Sequence, residues 1–201
     1  MNKLRTALAT AAAAALGLAA LGTAPVQAAA QPAFLAASQM PASSTPWTAT
    51  QVFTGVPENG GVLCAPYKIP AQNTRYREFS TEFDTNGVQV TTVTRTESDA
   101  VKLVDTLRGA LVGCGSLLEQ QNPGLQAVSA SHGKLAVGEG AWAYSLDTAD
   151  PQIGISDIHL FSVGRDGRTV TLVRWGQMGD LEDAPLTAFR TTTKTAVNKL
   201  H

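Results

Sequence analysis

Two cysteines, Cys64 and Cys114, and three histidines, His132, His159 and His201, are the residues best suited by type to nucleophilic, acid–base or metal chemistry. Gly113-Cys114-Gly115-Ser116 echoes the surroundings of some cysteine-protease nucleophiles, but the echo stops at Leu117 and no downstream His-plus-Asn pattern supports it. An even cysteine count behind an export-type N-terminus predicts one disulfide between Cys64 and Cys114. Closing a loop of about 50 residues stabilises by on the order of 4 kcal/mol in the chain-entropy account. Asp157 and His159 stand two apart on a predicted strand and share a face. As metal ligands they lack the third donor that zinc needs, so no metal and no cofactor is expected. His132 adjoins Gly133 in a predicted turn, and His201 is the last residue.

The carboxylates repeat this pattern. Glu78 and Glu82 share a strand face four residues apart, roughly 13 Å, which exceeds the separation either kind of glycosidase uses. The sequence has no G-x-S-x-G elbow, no H-E-x-x-H helix and no phosphate-binding glycine loop. Gly138-Glu139-Gly140 lacks the third glycine of a dinucleotide fingerprint and opens no helix. Catalysis is therefore not expected, although a hydrolase with dispersed residues is recognised by geometry rather than spacing. Among the few aromatics, Trp142 and Tyr144 read as core. Arg174 and Trp175, at a strand end running into a glycine-containing loop, are the residues placed to line a cleft. With Asp157 and His159 they form the candidate ligand-binding set.

These side chains depend on the elements that carry them. Alternation over 75–84 and again from Val88 to Arg95, around Asn86-Gly87, predicts a β-hairpin. Thr96 lies three residues before Asp99, the capping-box spacing, and apolar residues follow at helical intervals, so a helix is expected over 97–113, ended by Gly113 and Gly115. Extended runs follow at 125–131, 140–147 and 153–163, then a tight turn at Asp166-Gly167 and a last strand over 169–175. Residues 176–182 read as a loop. Asp183 is expected to cap a final helix carrying Pro185 in its first turn, with Arg190, Lys194 and Lys199 toward the end where the helix dipole favours cations. Helices separated by hairpins argue for an α+β fold, an antiparallel β-sheet with two long helices packed against one face.

Composition bounds the class. Of 201 residues 44% are hydrophobic and 15% charged, which excludes a disordered polymer and a polytopic membrane protein. Lys3 and Arg5 precede 21 uncharged Ala- and Leu-rich residues, and Val26-Gln27-Ala28 supplies the small residues of a cleavage site, so residues 1–28 are expected to be a signal peptide. The run is long enough to touch the length of a membrane span, but Ala is weakly apolar and Gly17, Gly22 and Pro25 interrupt it. The remaining 173 residues carry 13 Lys or Arg against 16 Asp or Glu, a net charge of −3 with no basic block, which gives no footprint for nucleic acid. Residues 29–46 read as an Ala/Ser/Pro-rich leader with one helical turn, and 47–201 as a single domain.

The order of these features resembles the PknH-like extracellular sensor domain family. The resemblance rests on Phe34-Leu35 through Met40-Pro41, Trp47, Cys64 before the hairpin, and Ala100-Val101-Lys102-Leu103-Val104 leading to Cys114. It continues through Val137-Gly138-Glu139-Gly140-Ala141 and the hairpin from Phe161-Ser162-Val163 to Leu172-Val173-Arg174. It implies a sheet with flanking helices, a concave cleft for a small molecule or cell-envelope component, and no catalysis. The family occurs as the outer domain of some membrane-spanning serine/threonine kinases and in related secreted proteins or lipoproteins; members commonly carry two disulfides, whereas this chain can form one and has no kinase domain. The expectation is a secreted, monomeric, non-catalytic ligand-binding module without stable membrane insertion. An extracellular structural or protein-interaction domain is the alternative, then the dispersed hydrolase.

Overall fold

The computed structural model describes residues 31–58, 62–65 and 68–201; the expected signal peptide lies outside them. The strands are β1 (Thr48–Ala49), β2 (Phe53–Thr54), β3 (Thr74–Ser80), β4 (Asn86–Val93), β5 (Gln126–Leu135), β6 (Gly140–Asp150), β7 (Ile155–Asp166) and β8 (Thr169–Met178). The helices are α1 (Glu97–Val112), α2 (Cys114–Gln121) and α3 (Leu186–Val197). All described pairings are antiparallel, in the order β1-β3-β4-β8-β7-β6-β5, with β2 also on β3. A β3-β4 hairpin is thus joined edge to edge to a β5–β8 meander, and α1-α2 carries the chain from the sheet's middle to its far edge. The class is α+β, as expected.

The helices lie on both faces, which corrects the one-face arrangement. In β7 and β8 buried apolar residues do not alternate with polar ones. Phe161, Val163, Val170 and Leu172 pack on the α1 side with Leu103, Leu107 and Leu111. Their neighbours Ile158, Leu160, Val173 and Trp175 pack on the other side with Phe189 and Ala196 of α3. Strands apolar on both faces need two covers. The capping spacing at α1 is realised: Thr96 Oγ1 accepts from the Asp99 amide at 3.1 Å and donates to the Asp99 carboxylate at 2.8 Å.

Several boundaries move. Gly113 ends α1 as expected, but the chain goes straight on into α2, which lies on β5. A Cβ on Gly115 would come within 2.6 Å of the Ala127 carbonyl oxygen, so this glycine permits close approach rather than ending a helix. Asn86-Gly87 begins β4, and the hairpin's reversal is 81–85. β5 runs on to Leu135 through an irregularity between Ser131 and Lys134, placing His132 in the strand rather than in a turn. β8 continues to Met178 where a loop was expected. Asp183 belongs to a 3-10 turn, Leu181–Asp183, and Pro185 occupies the N-cap position of α3.

The disulfide joins Cys64 to Cys114, pinning the first turn of α2 to the loop before β3. The segment expected as a leader is part of the fold, so Trp47 does not mark where packing begins. Leu35 and Met40 are buried against Trp175 and Phe79. The Leu35 amide donates to Gln89 Oε1 at 2.7 Å, Arg77 donates to the Leu35 carbonyl at 2.9 Å, and Thr192 of α3 donates to the Gln39 carbonyl at 2.7 Å. The expected helical turn is the 3-10 turn Ala37–Gln39.

Candidate functional site

Register brings three of the four candidate binding residues together. Arg174 pairs across from Phe161 on β7 and Val88 on β4, while His159 and Asp157 pair with Gly176 and Met178 of β8. Counting by twos from Leu172 and Phe161 puts Arg174, His159 and Asp157 on the α1 side. They stand at the end of the sheet where β3 and β8 finish and β4 and β7 begin. Arg174 Nη2 donates to Asn86 Oδ1 at 2.7 Å, and Nη1 lies 3.5 Å from His159 Nδ1. A side chain at Gly176 would collide with the His159 ring, so the glycine makes the imidazole's seat. A hollow of about 260 Å³ adjoins Arg174, walled also by Thr50, Glu78, Ser80 and Asn86.

Burial sets the electrostatics of this cluster. It lowers the His159 pKa to about 4, with the Arg174 charge adding to the effect. It lowers that of Arg174 to about 10, opposed by Glu78. Asp157 is raised, by burial first and then by the Asp84 carboxylate. A neutral imidazole beside a guanidinium supplies hydrogen bonds, but not a base poised near pH 7.

Trp175, the fourth candidate, points the other way. It is buried among Leu35, Met40, Phe79, Leu160 and Phe189, so it is a core residue and not a cleft wall. Adjacent strand residues face opposite sides, and that rule was available from the sequence. Trp142 is half-buried, with the Arg108 guanidinium 4.1 Å from its ring centre, and Tyr144 is in the core.

A larger depression, about 960 Å³, lies at the opposite end of the sheet. The starts of β3 and β8, the end of β4, Gln31-Pro32 and Leu200-His201 enclose it, and Arg75, Arg95 and Arg168 stand in its walls. The β4–β8 register, with Val93 opposite Thr169, sets Arg95 and Arg168 side by side; Arg168 Nη1 is 3.4 Å from the Arg95 carbonyl. Arg75 donates to the Pro32 carbonyl at 2.8 Å and lies over the Phe34 ring at 5.4 Å. Among the described residues, none of these three arginines has a carboxylate within ion-pair distance; the pairs formed are Arg108–Asp105, Arg165–Glu139 and His201–Asp166. Sequence reasoning missed this group because positions 75, 95 and 168 meet only through strand order.

One further juxtaposition bears on hydrolysis. His132 Nε2 is 2.9 Å from Ser145 Oγ, and Arg190 donates to the His132 carbonyl at 2.8 Å. Burial, then the Arg190 charge, lowers the His132 pKa. Ser145 is buried, and among the described residues no carboxylate is hydrogen-bonded to the His132 ring, so the third member of a triad is not supplied there. No group of three or more His, Cys, Asp or Glu that could hold a metal ion occurs among the described residues. No protein-family model and no curated protein matches the chain.

Proposed function

We propose that this protein is a secreted, non-catalytic ligand-binding module, a relative of the PknH-like extracellular sensor domains, and that its ligand is an anionic small molecule or envelope component. The observation that carries the reading is the convergence of Arg75, Arg95 and Arg168 on one depression of about 960 Å³ with no carboxylate in ion-pair reach among the described residues. Guanidinium groups present planar forks that match carboxylate and phosphate oxygens. A concave site of this size suits a small ligand. Thr91, Thr169 and Asn73 in the same walls offer hydroxyl and amide groups for orientation. The Arg174–His159 cluster, at the far end of the same strands, acts in this reading as a buried polar support for the sheet.

Export is supported by the charged and apolar N-terminal pattern and by the disulfide, a bond that persists in oxidising compartments. No described helix is long and apolar enough to cross a membrane. The test is native mass spectrometry of the mature protein recovered from culture supernatant, beside its denatured mass and beside an Arg95→Glu/Arg168→Glu variant. A fixed increment in the native mass, lost in the variant, is the expected result. Identical native and denatured masses, together with no thermal shift in pyrophosphate or citrate, would overturn the reading.

A further inference from the structure

At the end of the sheet away from the arginine-walled depression, three connections meet: 81–85 between β3 and β4, the β6–β7 turn, and the segment from β8 to α3. Hydrogen bonds tie them to one another. The Asp84 carboxylate accepts from the Met178 amide at 2.6 Å, Gly179 donates to the Ser156 carbonyl at 3.0 Å, and Leu181 donates to the Asp147 carboxylate at 3.2 Å. On this end stand four large apolar side chains in water: Phe83 at 65% exposure, Ile153 at 67%, Met178 at 56% and Ile155 at 43%. Single exposed apolar residues are ordinary on any surface; four on adjoining loops and strand ends are not.

The charge on these connections themselves has one sign, and the nearest guanidinium, Arg174, is half-buried and engaged with Asn86. No Lys or Arg occurs in 79–87, 147–160 or 175–189, yet these stretches hold eight of the chain's 16 carboxylates. Such an end repels anionic lipid and nucleic acid and attracts cations, while the apolar side chains give a purely ionic ligand nothing to bury against. From this we infer that the acidic, apolar end is a docking surface for a protein segment in which basic and apolar residues alternate. The apolar side chains supply the residence time and the carboxylates the steering. The surface is separate from the arginine-walled depression, and the inference does not rest on the ligand-binding reading.

The experiment is a fluorescence-anisotropy titration of the mature chain with two labelled synthetic peptides of equal charge, one alternating Leu and Lys and one of Lys and Gly. The Leu/Lys peptide is expected to bind at least about tenfold more tightly, with affinity falling as salt rises. Phe83→Ser/Met178→Ser is expected to weaken it about tenfold, the order lost with central apolar contacts. Glu82→Gln/Glu182→Gln is expected to slow association and flatten the salt dependence. Arg95→Glu is expected to leave peptide binding unchanged, which separates a failure of this inference from a failure of the binding-module reading. Unchanged melting curves establish that the exposed substitutions leave the fold intact. Equal binding of both peptides, or equal binding by the Phe83/Met178 variant, would overturn the inference. So would either competing occupant: binding to phosphatidylcholine vesicles in place of the peptide, or a wild-type solution mass that rises with concentration and returns to monomer in the variant.

Discussion

His159 shows how one residue's surroundings become a property of the whole chain. In the unfolded chain its imidazole takes up a proton near pH 6.5, whereas burial and Arg174 hold the folded pKa at about 4. A histidine lowered in this way contributes stability that is complete above about pH 6.5 and is lost as pH falls toward 4, on the order of 3 kcal/mol in all. Urea melts across that window should show the decline, and His159→Gln should flatten it. An unchanged slope in the variant would assign the acid sensitivity to other groups. The same residue illustrates what spacing conveys: Asp157 and His159 share a face because strands alternate, and by that rule Arg174 and Trp175 do not. Pairing those two as one cleft wall was an error of periodicity, corrected by the burial of Trp175 against Leu35 and Phe189.

Among the elements, α2 has the most constrained position. Its first residue is the half-cystine Cys114, its second is Gly115 pressed on the Ala127 carbonyl, and Glu119 accepts from the Ala127 amide at 3.0 Å. The helix covers the start of the outermost strand, β5, at Ala127 and Ser129, where a free edge would otherwise be a template for another chain. Reduction should lower the melting temperature, with a cost on the order of 4 kcal/mol from the reopened loop. Thiol titration of the native protein should find no free thiol; two would contradict the bridge. The capped start of α1 and the two hairpin strands were legible because caps and alternation act over a few residues. Gly113 does cap α1, but Gly115 was misread as part of the helix end because a glycine required by a neighbour 12 residues away looks, locally, like a terminator.

For the molecule as a whole, the segment 31–46 decides whether one face of the sheet is closed. It lies between β4 and α3 through Leu35, Met40 and the Gln89 hydrogen bond, and Gln89 itself donates to Thr171 at 3.2 Å. A chain begun at Trp47 would leave Trp175, Phe79 and the Gln89 side-chain Oε1 facing water. Such a truncation is expected to lose cooperative unfolding and bind a hydrophobic dye, and a sharp melt within a few degrees of the intact chain would disprove the role. Charge is also distributed over the full length of the strands, with Arg75, Arg95 and Arg168 at one end and carboxylate-rich connections at the other, although the chain's formal net charge is only −1.

The sequence by itself determined the α+β class, the disulfide, the capped helix α1 and most of the strands. These follow from short-range periodicity, capping and an even cysteine count. Tertiary structure alone decided that helices cover both faces, that 31–46 belongs to the core, and that Arg75, Arg95 and Arg168 share one hollow. Each of these depends on which strands pair and in what order. That choice is made by burying apolar surface between residues tens of positions apart, a quantity that no local window of sequence contains.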